Sequence, residues 1–163
     1  MKTTRIVTRI GDLFEVPLDD KIKKYFQFVA IDATQLNSSV IRVFKTAYPV
    51  EAQPRPDEIV RDEVDLYAHT VLKTGILQKL WKKVGKSADL GSLDVLFRGT
   101  DDTLNSQIRI SENWHVWKIS EPPRKVGKLE GENQMAEVGT VIPPQWIVDR
   151  IRTGKYNFVY PHF

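Results

Sequence analysis

The chain has 163 residues, 41% of them hydrophobic and 28% charged, with a formal net charge of +3 and no cysteine. That length suits one domain with its own core, since a chain of this size buries roughly 70% of the surface it exposes when unfolded. The composition excludes a disordered or fibrous chain, the missing thiol excludes disulfides, thiolate nucleophiles and cysteine-ligated zinc, and the mild charge argues against a dedicated nucleic-acid binder.

In chain order, "TRIVTRI" (4–10) reads as β and runs into a break at Gly11-Asp12. "LFEVPL" then alternates Leu13, Glu15 and Pro17 against Phe14, Val16 and Leu18, the pattern of a strand with one buried face. After a turn at Asp19-Asp20, "KYFQFVAID" (24–32) sets Tyr25, Gln27 and Val29 against Phe26, Phe28 and Ala30, so this strand is expected to be covered on both sides. The polar loop "TQLNSS" leads into "VIRVFKTAY" (40–48), whose β-branched residues favour another strand. Three prolines in "PVEAQPRP" (49–56) mark an exposed connection, and Asp57 is placed to cap a short helix or turn.

The period of "DLYAHTVLKTGILQKLW" (65–81) fits strand or helix, and strands broken at Thr74-Gly75 are favoured. "LDVLF" (93–97) and "QIRI" (107–110) read as short strands around the loop "RGTDDTLNS". In "NWHVWKIS" (113–120) Trp114 and Val116 share one face while His115, Trp117 and Ile119 share the other. Both faces carry a large apolar residue, so the strand is expected to be scaffold and not an exposed base-stacking platform. "RKVGKLEGEN" (124–133) reads as a basic turn between strands. "PPQWIVDRIRTGKY" offers prolines for a first turn, Trp146, Ile147, Arg150 and Ile151 at helical spacing, and a stop at Gly154. "YNFVY" (156–160) then returns as a terminal strand. The expected fold class is α+β and strand-rich: a single domain, 1–163, of mostly antiparallel sheet or partly open barrel with one C-terminal helix.

Few residues combine into chemistry. The histidines are His69, His115 and His162, none at i, i+4 to another and none in HExxH spacing, so no metal site is expected. A histidine base would need its carboxylate brought from elsewhere in the fold. Gly85-Lys86-Ser87 ends like a phosphate loop, but Leu80 stands where that motif requires its first glycine. Asp19-Asp20 and Asp101-Asp102 read as turn formers, and no serine occupies a GxSxG elbow. No catalytic residue, metal or cofactor is expected.

The N-terminus lacks the apolar run of a secretory signal, and no window approaches the ~20 apolar residues of a membrane span, so a cytoplasmic location is expected. Charge is unevenly spread. "DEIVRDEVD" (57–65) holds five acids and one arginine, whereas "KLWKKVGK" (79–86) holds four lysines and no acid.

The order of "RIGDLFEVPLDD", "VDLYAHTVLKTGILQKLW", "KVGKSADLGSLDVLFR", "NWHVWKI", "KVGKLEGEN" and "AEVGTVIPPQWIVDRIRTGKYNFVYP" resembles the immunity protein 26 family of bacterial polymorphic-toxin systems. The resemblance covers nearly the whole chain. It is most specific in the GDLF-type opening, the tryptophan strand and the helix leading to "FVYP". It implies a non-enzymatic protein in the cytoplasm of the producing bacterium that binds a cognate toxin domain and blocks it. The matching positions, among them Gly11, Asp12, Trp114, Trp117, Gly127, Lys128, Trp146 and Tyr156, read as structural.

The expected partner-binding residues are instead Asp57, Glu58, Asp62, Glu63 and Asp65, because toxins that act on nucleic acid carry basic clefts that complementary charge steers to and plugs. Lys79, Lys82, Lys83 and Lys86 form the rival patch, suited to an acidic partner. Two other classes stay open: a nucleic-acid-binding β module using the lysines, and a hydrolase with His69 or His115 in a cleft beside a carboxylate.

Overall fold

A computed structural model describes residues 5–34, 36–104 and 107–163. Thr4 of the opening segment, Gln35 of the "TQLNSS" loop and Asn105-Ser106 of the "RGTDDTLNS" loop lie outside the described residues. From the N-terminus come β1 (Asp12–Pro17), β2 (Ile22–Asp32), β3 (Ser38–Phe44), β4 (Tyr48–Pro49), helix α1 (Pro56–Ile59), β5 (Val64–Thr70), helix α2 (Leu72–Leu77) and β6 (Lys82–Lys86). There follow β7 (Leu96–Thr100), β8 (Trp114–Lys118), β9 (Arg124–Gly127), β10 (Glu137–Val138), β11 (Val141–Ile142) and helix α3 (Pro144–Thr153).

The fold is strand-rich, as the alternation implies, and its strands make two sheets that do not close into a barrel. The first has the order β11-β5-β3-β2-β1-β6, with β4 beside β2; the second has the order β10-β7-β8-β9. Pairing is antiparallel throughout except for two short parallel contacts, β10 with β7 and β11 with β5. Among the described residues no helix is long and apolar enough to cross a membrane.

Strand alternation assigns the faces of the first sheet. Phe14, Val16, Phe26, Phe28, Ile41, Val43, Leu66 and Ala68 point to one side, where Trp81 and Ile147, Val148 and Ile151 of α3 close over them. Those three helix positions repeat at helical spacing, which is why α3 lies flat on the sheet. On the other side Leu13, Tyr25 and Phe44 are covered by Ile59 and Val60 at the end of α1.

A bulge in the β2–β3 register between Phe28 and Ala30 shifts the alternation partway along β2. Beyond it Val29, Ala30 and Val40 meet Val95, Phe97 and Trp117, and this cluster joins the two sheets. Strand β2 is thus buried on both sides, as its composition suggested.

The C-terminal helix forms where the sequence places it. Pro144 occupies its first turn, and Gly154, at φ +80°, ends it by donating its N–H to the Arg150 carbonyl at 2.9 Å.

Several segments differ from the sequence expectation, each for a packing reason. Residues 65–81 are not two broken strands: β5 ends at Thr70 and α2 follows, because the Trp81 indole lies against Gly75, where any Cβ would collide with it. Residues 5–9 form no strand, and β1 begins only after Gly11 turns the chain at φ +103°. "LDVLF" enters its strand late, at Leu96. "QIRI" forms no strand; Ile110 makes a single bridge to His162 and stays 65% exposed.

"YNFVY" bends instead of pairing, since its rings are used for packing. Phe158 stacks on Trp146, and Tyr160 packs on Trp114. The basic turn at 124–133 is in part a strand, β9, paired with β8.

Candidate functional site

The acidic segment is carried by α1 and the turn into β5. Pro56 starts the short helix, Asp57 and Glu58 occupy its first turn, and Ile59 and Val60 are 2% and 7% exposed, so the segment is anchored by its apolar pair. Asp57 lies 3.4 Å from Arg55 and 3.9 Å from Arg61, and Glu58 lies 3.0 Å from Arg55. Asp62 is a turn-former: its carboxylate accepts the Thr46 N–H at 2.7 Å and the Glu63 N–H at 2.8 Å. Glu63 pairs with Lys45 at 2.9 Å.

Tyr48 senses both ends of this group. Its phenol pKa is raised, first by burial and then by the charges of Asp62 and Glu58. Asp65 is directed elsewhere, to Arg150 of α3 at 3.6 Å. The structure therefore gathers Asp57, Glu58, Asp62 and Glu63 around one corner, and Asp65 pairs with the helix while its charge still reaches Lys45 beside Glu63 and Asp62.

His69 does have a carboxylate partner, but it lies inside the protein. Its Nε2 is 2.8 Å from Asp32, and both side chains are 0% exposed. The same Asp32 carboxylate accepts the Trp117 indole N–H at 2.8 Å and the Ser120 backbone N–H at 3.0 Å. Burial works against the Asp32 charge, yet the bonds from Trp117, His69 and Ser120 outweigh it and hold the pKa low. Burial likewise holds the His69 pKa low, against the pull of Asp32.

With an ionised, acceptor-only Asp32, the histidine Nε2 must carry the proton, and its buried Nδ1 has no hydrogen-bond partner among the described residues. This constellation ties β2 and β5 of one sheet to β8 of the other. Trp114 is also fully buried, its N–H given to the Ser111 carbonyl at 2.8 Å, so the tryptophan strand is scaffold. His115 is half-buried, stacked on Trp117, and burial lowers its pKa.

The lysine run is only partly engaged: Lys79 and Lys86 are exposed, Lys86 at the end of β6, while Lys82 and Lys83 meet carboxylates. Lys79 occupies a left-handed turn at φ +60°, Lys82 pairs with Glu15 at 3.2 Å, and Lys83 pairs with Asp12 at 2.9 Å. Glu15 also accepts a 3.0 Å bond from Lys23, whose side chain is 6% exposed. Burial opposes the Lys23 charge, but the bonds to Glu15 and Tyr25 prevail and its pKa is raised.

Sequence reasoning missed the partners of these groups because each is remote in the chain: Asp32 stands 37 residues before His69, and Gln27 stands 15 before the buried Arg42 it accepts from. The available signal was a polar residue inside an apolar run, at Lys23, Gln27, Asp32 and Arg42. Comparison with protein-family models, with curated proteins and with solved structures gives no match for this chain.

Proposed function

We propose that the protein is an immunity protein that binds a cognate bacterial toxin domain in the cytoplasm of the cell that makes it and occludes its active site, with no catalysis of its own. The observation that carries this reading is the corner formed by Asp57, Glu58, Asp62 and Glu63 on a segment pinned by Ile59 and Val60. Fixed carboxylates on a rigid support suit recognition of a basic cleft, since complementary charge sets approach rate and register.

Their present partners, Arg55, Arg61 and Lys45, have side chains 72%, 75% and 55% exposed. Exposed pairs of this kind contribute about 0–1 kcal/mol, so a partner's cations exchange with them at little cost. The resemblance to the immunity protein 26 family supplies the nature of the partner. The His69–Asp32 pair fits the same reading, because a buried joint between sheets is a scaffold role.

The test is capture of partners from nuclease-treated lysate of the source bacterium on the tagged full chain. One near-stoichiometric protein bearing a toxin domain, whose toxicity in a sensitive host is suppressed by co-expression, is the expected result. Loss of all retained material on nuclease treatment would overturn the proposal in favour of nucleic-acid binding. Asp57→Lys with Glu58→Lys is the informative charge reversal and should lower the association rate by about tenfold or more at low salt. Asp62 is less suitable, because its carboxylate also holds the Thr46 turn.

A further inference from the structure

Beside α1, on the face of the first sheet opposite α3, a groove of about 470 Å³ runs between edge strand β6 and the proline-bearing segment 50–56. Its volume lies within the range of about 300–1,000 Å³ typical of ligand sites. Leu13, Tyr25 and Ile59 supply an apolar floor, and Pro54 and Pro56 stiffen one wall.

The charges in this groove do not balance. Glu15 is shared between two ammonium groups, Lys23 on one oxygen and Lys82 on the other. Lys83 is matched by Asp12 at 2.9 Å and Glu51 stands on the exposed outer wall, so the excess sits at Glu15, where two ammonium groups meet one carboxylate, a local net of +1. Lys23 and Glu15 are nearly withdrawn from water, at 6% and 13% exposure, where an unbalanced cation is poorly solvated and a further carboxylate is favoured.

We propose that this groove binds an extended acidic peptide segment of a partner protein, seating one aspartate or glutamate on Lys23 and Lys82 with apolar neighbours on Leu13, Tyr25 and Ile59. The wall itself favours a peptide over a small acid. Strand β6 is the last strand of its sheet and pairs only with β1 among the described residues, and an edge strand accepts an extended chain by backbone hydrogen bonding. Gly85 lets the wall approach the strand closely: a Cβ there would stand only 3.1 Å from the Pro56 ring, so the groove is closed at this end and open along Lys82 and Lys83. The inference concerns the groove alone and does not require the partner to be a toxin.

The experiment is selection of a displayed random heptapeptide library on the immobilised full chain, followed by fluorescence polarisation with the selected peptides. Enriched peptides should share an acidic position flanked by apolar residues. Replacing that acid by its amide should weaken binding roughly tenfold or more, as should Lys82→Glu, a change at a side chain 73% exposed. Gln53→Trp, at an exposed position on the wall, should weaken binding by filling the groove without touching a charge, and circular dichroism of both variants checks that the fold persists. No enrichment, peptides lacking an acid, or affinities unchanged in both variants would each overturn the proposal.

Discussion

Asp32 shows how one side chain can bind two sheets together. Its carboxylate takes hydrogen bonds from His69, Trp117 and Ser120, residues contributed by β5, β8 and the turn after β8. Asp32→Ala leaves three donors unpaired in the interior, so stability measured by denaturant titration should fall by about 3 kcal/mol or more.

His69 makes a separate prediction about acid. Its pKa is depressed from the usual 6.5 by burial, so its contribution to stability is present above about pH 6.5 and is lost as pH falls below that toward the folded-state value. The cause is specific. A second proton must go to Nδ1, which has no acceptor among the described residues. His69→Gln retains an amide donor for Asp32 but cannot be protonated, so the loss of stability between pH 6.5 and 5 should become shallower; an unchanged slope would show that another group governs it.

Among the elements, α3 was the most legible and α2 the least. In α3, local chemistry and tertiary packing agree: prolines open it, Ile147, Val148 and Ile151 face the sheet, and Gly154 closes it. Replacing Gly154 by alanine should cost about 1 kcal/mol, because a Cβ is disfavoured at φ +80° although it has open space around it. Helix α2 is decided by a residue outside itself. Trp81 packs on Gly75 and gives its indole N–H to the Leu72 carbonyl at 3.1 Å, and a propensity reading of residues 72–77 has no access to that contact. Gly75→Ala should therefore lower the thermal midpoint markedly more than Gly154→Ala, reversing the order that helix propensity alone would give.

The same distinction applies to the candidate sites. The acidic run was visible as a run, but the pairing of Asp65 with α3 depends on where Arg150 lies. The β6 groove was invisible, since Glu15, Lys23 and Lys82 are brought together only by the pairing of β1 with β2 and β6.

At the scale of the molecule, the chain passes from one sheet to the other between β10 and β11, and Glu137 stands at that crossing. Burial raises its pKa to about 7, against the Tyr67 backbone N–H bond and the charges of Arg150 and Arg98, while Asp65 adds to the rise. Tyr156, half-buried with its own pKa raised by burial and by the Glu137 charge, also faces this group. The sign is opposite to that of His69. A carboxyl whose folded pKa exceeds its unfolded value stabilises the protein fully below about pH 4.5, and that contribution is lost as pH rises through about 7. The span corresponds to about 3 kcal/mol at most. The two windows overlap: between about pH 4.5 and 6.5 the loss from Glu137 opposes the gain from His69, and above 6.5 only the Glu137 loss continues, ending near pH 7. Glu137→Gln keeps the shape and cannot ionise, so denaturant midpoints measured from pH 4.5 to 7 should rise more steeply with pH than in the parent protein, the opposing loss having been removed. If the variant instead keeps the parent's pH dependence from 4.5 to 7, the crossing between the sheets is not the pH-sensitive element of this fold.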